Sequence, residues 1–268
     1  MSVGLKLPIL TPSESSVSAK QARAKLCALT VMAKAPRPGA VKTRLSPPVT
    51  PSQASDLNVC FLRDTAENIA GVIDGGAAAG LISYTPVGEE ALFDGLLPDG
   101  FALLLQRGNG FGERLLAATE DVLACGFGSV CLIDGDSPTV PPSAFEQAVR
   151  ELACPGDRIV VGPAADGGYY LIGLKRAHRT IFEQIAWSTG TVYVDTLKRA
   201  REAGLEVVEL PLWYDVDDAA TLEILKAELL GGIVPHFATQ PGYPAPHTRE
   251  YLRALDSRTK PSLQDVAD

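Results

Sequence analysis

One sequence feature restricts the possible folds of this chain more than any other. It is an apolar run followed directly by a rigid, cationic loop. The run LCALTVM (26–32) is followed by AKAPRPGAVKTRL (33–45). The loop carries four cations: Lys34, Arg37, Lys42 and Arg44. Pro36 and Pro38 restrict φ, and Gly39 permits a positive φ and a close backbone approach. A buried strand followed by such a loop is typical of α/β proteins that hold phosphates. The alternative is a solvated basic turn.

The overall charge makes this loop a local exception. The chain has 268 residues with a formal net charge of −8, so a general nucleic-acid surface is not expected. A small anionic ligand fits a confined cationic loop better. Five cysteines without C-x-x-C spacing favour neither a metal knuckle nor a disulfide framework. Without an eighteen-residue apolar run or a signal-like start, we expect a cytoplasmic protein with no membrane partner.

Strand-like and helical patterns alternate through most of the chain, which predicts an α/β fold. We expect a three-layer sandwich whose mixed, mostly parallel sheet is covered on both faces. The predicted organisation is a flexible segment over 1–25, one domain over 26–230, and a proline-containing tail over 231–268. A helix after the prolines that follow the basic loop is expected to take Ser52 as its N-cap.

Ligands of parallel sheets bind at the carboxyl ends of the strands. That rule places three loops on one edge of the sheet: 33–45, 108–114 and 134–140. The last of them opens with Asp134-Gly135-Asp136, directly after the strand-like run VCLI. Two carboxylates on a tight turn suit a hard cation such as Mg²⁺ or Mn²⁺. The alternative is an Asx-type turn in which the carboxylates cap backbone amides.

Two further segments carry candidate polar chemistry. Asp217 follows a predicted strand and is a metal ligand if that strand end lies near Asp136, whereas Asp218 could be a plain helix cap. In Asp166-Gly167-Gly168-Tyr169 the glycines allow a ligand close to the backbone, and Asp166 can accept hydrogen bonds from hydroxyls. A β-turn is the alternative interpretation of that segment.

Six segments together resemble an uncharacterised bacterial family of glycosyltransferase-like proteins, DUF2064. They are AKAPRPGAVKTRL, GFGERL, GDSP, GPAADGGYYLIGL, WST and DVDD, in this order between about residues 26 and 230. The family is often found beside radical-SAM proteins and is associated by name with arsenosugar biosynthesis. It is more distantly similar to nucleotidyltransferases such as the 2-phospho-lactate guanylyltransferases. The resemblance implies a nucleotide-diphospho-sugar transferase fold of the glycosyltransferase-A type.

The resemblance also implies roles for individual residues. The phosphate-binding positions are Lys34, Arg37, Gly39, Lys42 and Arg44. Asp136 matches the first metal ligand and Asp217 the second, whereas the family usually has an uncharged residue where this chain has Asp134. We expect the acceptor to contact Asn109, Arg114, Asp166, Gly167, Gly168, Tyr169 and Trp187.

The function we predict is metal-dependent nucleotidyl transfer. A nucleoside triphosphate would bind over the basic loop, and a small phosphorylated acceptor near Asp166 and Arg114 would release pyrophosphate. Lys42, Arg44 and Asp136 would be the catalytic residues, by positioning and charge neutralisation. The first alternative is a glycosyltransferase that moves a sugar from a nucleotide sugar to a small acceptor. The second is a nucleotide-binding module without turnover.

Overall fold

A seven-stranded sheet forms the centre of the molecule. The computed structural model describes residues 7–259, with side chains to residue 257. The strands are β1 Cys27–Lys34, β2 Ala78–Thr85, β3 Ala102–Leu105, β4 Ser129–Ile133, β5 Arg158–Pro163, β6 Tyr169–Leu174 and β7 Glu206–Glu209. Their order is β3-β2-β1-β4-β6-β5-β7. Strand β6 is antiparallel to both of its neighbours and the other pairs are parallel, which confirms the predicted mixed, mostly parallel sheet.

Helices cover both faces of the sheet and complete the predicted three layers. The α-helices in this part of the chain are α1 Val17–Arg23, α2 Pro51–Ile73, α3 Phe111–Ala124, α4 Pro142–Ala153, α5 Val192–Glu202, α6 Ala219–Gly231 and α7 Pro246–Thr259. One core joins β1 side chains such as Leu29 to α2, α4, α6 and α7. The other joins the opposite side of the strands, for example Leu132 in β4, to α3 and α5. Alternate strand residues therefore enter different cores, as the two-residue period of a strand requires.

Helix α2 begins two residues earlier than the sequence predicted. Thr50 is its N-cap, with Pro51 in the first turn. The Thr50 hydroxyl accepts from the Gln53 amide at 3.2 Å, and the Gln53 side chain accepts from the Thr50 amide at 2.8 Å. The prediction of Ser52 as the cap was wrong because this reciprocal capping box, together with a proline at the first helical position, favours Thr50.

The two ends of the chain contain regular structure that the sequence analysis missed. Leu10 donates its amide to the Leu103 carbonyl at 2.8 Å, so the N-terminal segment adds to the β3 edge, and helix α1 follows. The tail beyond residue 231 contains α7, which packs against α2. The proposed boundaries at 25 and 231 stay a prediction, and residues 1–6 and 260–268 lie outside the described part of the chain. None of the described helices is both long and apolar enough to cross a bilayer.

The sheet topology brings three loops together at one edge. The chain leaves β1 towards β2 on one side, and β4 lies on its other side, so the strand order reverses at β1. Open α/β sheets form their ligand crevice at such a reversal. The loop after β7 reaches the same edge, where the Val216 amide donates to the Asp136 carbonyl at 2.9 Å.

Candidate active site

Two adjoining cavities lie at the carboxyl edge of the sheet. The first, of about 450 Å³, is lined by the basic loop, the ends of β2 and β3, and the start of α3. The second, of about 440 Å³, is lined by the loops after β4, β5 and β7 and by residues 187–190. The two cavities share six lining residues: Met32, Arg44, Phe111, Asp136, Ser188 and Asp217. Each cavity has the size of a small-molecule site.

Lys42 joins the basic loop to the two predicted metal ligands. Its backbone has a left-handed conformation, with φ at 50°, and its side chain is only 4% exposed. The ammonium lies 2.7 Å from Asp136 Oδ1 and 3.0 Å from Asp217 Oδ1, and it donates to the Val216 carbonyl at 2.7 Å. Burial opposes this charge, but the two carboxylates outweigh it, so the pKa of Lys42 is raised. The loops after β1, β4 and β7 are thus held by one buried cation.

Arg44 and Asp217 form an ion pair on the boundary between the cavities. The Asp217 amide donates to the Thr221 hydroxyl at 3.0 Å, which fixes the backbone at the start of α6. Asp218 accepts from the Thr221 amide at 2.9 Å and is the N-cap of that helix. The plain capping role weighed for Asp218 is therefore confirmed, while the Asp217 side chain is left to face the cavities.

Asp134 lines the second cavity, but its carboxyl is hydrogen-bonded within its own turn. Its carboxyl accepts from the Ser137 hydroxyl at 2.8 Å and from the Asp136 amide at 3.4 Å. Burial, followed by the neighbouring carboxylates of Asp136 and Asp215, raises the pKa of Asp134 well above its usual range. This geometry is that of the Asx-type turn, so the two aspartates of the Asp-Gly-Asp segment have different environments.

The donor set at the cavity boundary fits a hard divalent ion. Mg²⁺ is usually held by one or two carboxylates together with substrate phosphate oxygens, and Asp136 and Asp217 supply two carboxylates beside the first cavity. Among the described residues, a set of three potential ligands within 4.8 Å of one another lies elsewhere: Asp64, Glu67 and His247. None of these three lines either cavity.

Four predicted site residues line neither cavity: Arg37, Gly39, Asn109 and Gly167. Arg37 is turned outward and pairs with Glu89. Gly39 has the expected positive φ of 74°, which allows the loop to turn, but it does not line either cavity. The Asn109 amide donates to Glu113 at 2.9 Å. A Cβ on Gly167 would lie 2.1 Å from the Gly190 carbonyl, so that glycine permits packing between two loops.

Arg114 lines the first cavity, whereas the sequence analysis placed it beside Asp166. It lies one turn into α3, and its guanidinium is 5.9 Å from the Phe111 ring centre. Residues three apart on a helix share a face, and Phe111 and Arg114 both line the first cavity. Within the described residues, Lys34 and Arg114 form no ion pair, and Arg114 Nε is buried without a partner. They are the unpaired cations of the first cavity.

The second cavity is lined by both carboxylates and apolar side chains. Asp166, Gly168, Tyr169 and Trp187 of the predicted acceptor set line it. Asp166 also accepts from the Gly168 amide at 2.7 Å, so the predicted turn and the predicted exposure to a ligand coexist. The edge of Trp187 packs against Phe111, with ring centres 5.3 Å apart.

Asp215 is a site residue that the sequence analysis did not select. It lines the second cavity, and burial, followed by Asp166 and Asp217, raises the pKa of Asp215 to about 6. The signal was present in Asp215-Val216-Asp217, because alternate residues of an extended chain face the same side. Gln106 was also missed: it lines the first cavity, and its amide donates to the Ser83 carbonyl at 2.6 Å.

Comparisons with known proteins agree with this architecture. Residues 68–189 match the family described as "Uncharacterized protein conserved in bacteria (DUF2064)". A protein of Desulfovibrio desulfuricans G20, provisionally described as a nucleotide-diphospho-sugar transferase, is 30% identical, with a TM-score of 0.72 over 86% of this chain and 95% of that one. The 2-phospho-L-lactate guanylyltransferase of Methanothermobacter thermautotrophicus is 27% identical over 222 residues, 82% of this chain and 88% of that enzyme.

More distant structures share the fold. The 4-diphosphocytidyl-2C-methyl-D-erythritol synthase of Anaerococcus prevotii has a TM-score of 0.50 and 10% identity, over 80% of this chain and all of that one. The fold is therefore that of nucleotide-diphospho-sugar transferases and cytidylyltransferases, as the resemblance implied. The chain belongs to the same family as the Desulfovibrio desulfuricans protein, which it matches over nearly the whole length of that protein, and its residues 68–189 match the DUF2064 family model.

Proposed function

We propose that the protein is a metal-dependent nucleotidyltransferase. The first cavity would hold the triphosphate of a nucleotide, and the second would hold a small acceptor, with the transferred phosphorus near their common boundary. The acceptor would attack in line and pyrophosphate would leave. The relationship to the guanylyltransferase of Methanothermobacter thermautotrophicus supports nucleotidyl transfer as the reaction type.

One observation carries this proposal: cations and carboxylates from separate loops meet where the two cavities join. The Lys42 ammonium lies within 3.0 Å of both Asp136 and Asp217, and Arg44 pairs with Asp217 on the same boundary. Phosphoryl transfer requires little covalent chemistry from the protein and depends on positioning and charge neutralisation. A boundary lined by both signs of charge supplies those two requirements.

The charged residues around the boundary would have different roles in binding the nucleotide and the metal ion. Lys34 and Arg114, which have no carboxylate partner among the described residues, are available for the phosphates in the first cavity. Lys42 and Arg44 would turn from Asp136 and Asp217 towards phosphate oxygens when the nucleotide binds. Asp136 and Asp217 would then hold Mg²⁺ or Mn²⁺, which would neutralise charge on the phosphates.

The test is to incubate the purified protein with each nucleoside triphosphate, Mg²⁺ and a panel of small acceptors. We expect pyrophosphate release that depends on both an acceptor and the metal ion. Nucleotide binding that survives chelation and the Asp136→Ala and Asp217→Ala changes, with no product from any acceptor, would instead favour the binding module without turnover.

Glycosyl transfer is the second candidate, and one observation favours it. The Desulfovibrio desulfuricans relative, at 30% identity, is described as a nucleotide-diphospho-sugar transferase. The same first cavity would then hold a nucleoside diphosphate bearing a sugar. Release of a nucleoside diphosphate from a nucleotide sugar, without pyrophosphate from any triphosphate, would replace nucleotidyl transfer by this activity.

A further inference from the structure

The walls of the second cavity define the chemical class of the acceptor. The cavity is lined by five carboxylic acids and a single arginine: Asp134, Asp136, Asp166, Asp215, Asp217 and Arg44. Arg44 is already paired with Asp217. Arg114 lines the first cavity, although the sequence predicted that it would bind an anionic acceptor. Lys42 and the proposed ion would neutralise Asp136 and Asp217, so a phosphorylated acceptor would meet the carboxylates of Asp166 and Asp215 and, among the described lining residues, no free cation.

Two of these carboxylates have no cationic partner. Within the described residues, Asp166 and Asp215 form no ion pair. Asp166 uses Oδ1 for the Gly168 amide, and no hydrogen bond from the described part of the chain engages its Oδ2. Ionised carboxylates only accept hydrogen bonds, so their natural partners in a ligand are hydroxyl groups or a cationic amine.

Apolar side chains also line the cavity: Phe111, Leu115, Leu132, Trp187 and Val192. The half-buried Trp187 packs against Phe111 in an edge arrangement. A cavity of about 440 Å³ lined by apolar side chains and a few carboxylate acceptors fits a compact ligand that has both hydrocarbon and hydroxyl groups.

We propose that the acceptor is a small polyhydroxylated compound without a phosphate or carboxylate group, which attacks through a hydroxyl. This inference rests on the proposed transfer reaction for its chemistry, although it holds for nucleotidyl and glycosyl transfer alike. In nucleotidyl transfer the hydroxyl oxygen bonds to the α-phosphorus, and the bond from that phosphorus to the pyrophosphate oxygen breaks. The hydroxyl proton goes to a carboxylate, and pyrophosphate leaves. An alcohol, unlike a phosphate, needs such a base, and Asp166, which lines the cavity and forms no ion pair within the described residues, is the candidate.

The electrostatics of the cavity can be measured without knowing the acceptor, because Trp187 lines it. The other tryptophan, Trp213, is only 1% exposed, so quenching of the emission reports Trp187. Iodide, neutral acrylamide and caesium are the probes, each normalised to free N-acetyltryptophanamide. We expect iodide to quench several-fold less than acrylamide and caesium at low ionic strength, with Trp187→Phe abolishing the quenchable signal. Asp166→Asn with Asp215→Asn should raise iodide quenching towards the acrylamide level. Equal quenching by iodide and acrylamide in the wild-type protein would overturn the proposal.

Matched acceptor pairs provide the second measurement. Each alcohol is compared with its own phosphate ester, such as a hexose with the hexose 1-phosphate and glycerol with glycerol 3-phosphate, in the pyrophosphate assay. We expect turnover with free alcohols and at least tenfold less with the esters. Faster turnover of an ester than of its parent alcohol would overturn the acceptor class. If no triphosphate yields pyrophosphate with any acceptor, the proposed nucleotidyl transfer fails, and the quenching result still decides which class of ligand the cavity admits.

Discussion

Lys42 is a buried ammonium whose three nearest oxygen partners come from two different loops. Asp136 follows β4, while Val216 and Asp217 precede α6. Removing one partner of a buried charge group leaves the others uncompensated, which costs about 3 to 5 kcal/mol. We therefore expect Lys42→Met to lower the free energy of unfolding by about 3 kcal/mol, measured by urea denaturation.

The matched control for this change is Lys34→Met, since Lys34 is exposed and forms no ion pair in the described part of the chain. It should shift stability by no more than about 0.5 kcal/mol. Because the vacated position lies between two carboxylates, Mg²⁺ should raise the melting temperature of Lys42→Met more than that of the wild type. If Mg²⁺ raised the melting temperature of both proteins equally, the metal ion would not bind at the position of the Lys42 ammonium.

Asp136 and Asp134 lie two residues apart, but we expect substitutions at the two positions to have opposite effects on turnover. Asp136 faces both cavities, so Asp136→Ala should lower turnover by at least about two orders of magnitude in the pyrophosphate assay. Asp134 is held in its turn by Ser137, and burial raises the pKa of its carboxyl well above the usual range. Asp134→Asn should therefore retain activity within a few-fold. Loss of activity in Asp134→Asn that matches Asp136→Ala would place both residues in the reaction.

At the scale of residues, charge patterns predicted well which charged groups lie close together. They predicted less well the direction in which each side chain points. Lys42, Asp136 and Asp217 were selected from strand ends and charge, and the structure brings them together. Arg37 has the same charge and lies in the same loop, but it turns outward to Glu89. A proline- and glycine-containing loop does not have the fixed period of a helix or strand, so sequence spacing alone does not give the direction of its side chains.

Helix α7 is attached to α2 through a buried carboxylate. Asp64 of α2 accepts from the amides of His247 and Thr248, at 3.0 and 2.8 Å, in the first turn of α7. His247 also lies 2.7 Å from Glu67. These contacts explain why Asp64, Glu67 and His247 converge, because the Asp64 oxygens satisfy helix amides that otherwise have no partner.

Asp64→Ala should therefore detach α7 selectively. Loss of two charged hydrogen bonds at a buried helix start is expected to lower the free energy of unfolding by about 2 to 4 kcal/mol. Amide hydrogen exchange over residues 246–257 should accelerate more than exchange in β1. Asp56→Ala, which removes a bond to the Tyr251 hydroxyl at the exposed surface, is the matched control and should cost less than about 1 kcal/mol. Uniform acceleration across the whole protein in Asp64→Ala would argue against local attachment.

The same carboxyl gives a pH dependence with a definite sign. Burial raises the pKa of Asp64 above its ordinary value, although the amides and the side chain of Thr248 act to lower it. As pH rises above about 4, the unfolded chain loses this proton first, so the contribution of Asp64 to stability declines until the folded group also ionises. The stability advantage of the wild type over Asp64→Asn should therefore shrink as pH rises above about 4, as followed by urea denaturation. An advantage that grows over this range would contradict the assigned direction.

The missed elements have a common physical cause. Helix α7 is polar along most of its length and is preceded by several prolines, so its local pattern resembles a linker. It is stabilised by contacts with α2, which lies some 180 residues earlier in the chain. By contrast, the amphipathic period of α2 is visible in a short window of sequence. Local sequence patterns thus predicted the helices whose own residues show the period of a buried face.

At the scale of the whole molecule, alternation of strands and helices was sufficient to predict the layers and the carboxyl edge that carries both cavities. It did not predict that β6 would run antiparallel between β4 and β5, because the pairing partner of a strand depends on distant residues. The reversed strand matters for the site: it begins at the same edge where β4 ends, so Tyr169 enters the second cavity.

Charge is divided across the molecule in a way that makes a final prediction possible. The protein carries a net charge of −8, yet the first cavity gathers Lys34, Lys42, Arg44 and Arg114, whereas the carboxylates of Asp134, Asp166 and Asp215 line the second cavity and not the first. If the first cavity binds the triphosphate, Lys34→Ala and Arg114→Ala should each weaken binding of a non-hydrolysable nucleotide about 10- to 100-fold. Titration calorimetry at low and high salt should also show a smaller salt dependence in each variant.

Arg37→Ala is the matched control, because it removes the same charge from the same loop while its side chain is turned to Glu89. Its effect on nucleotide affinity should stay within about twofold, as for an exposed ion pair. If Arg37→Ala weakened binding as much as Arg114→Ala, the nucleotide would lie along the outer side of the loop. The transfer reaction would then lose its geometric basis, since a triphosphate held there is remote from Asp136 and Asp217, on which charge neutralisation at the boundary depends.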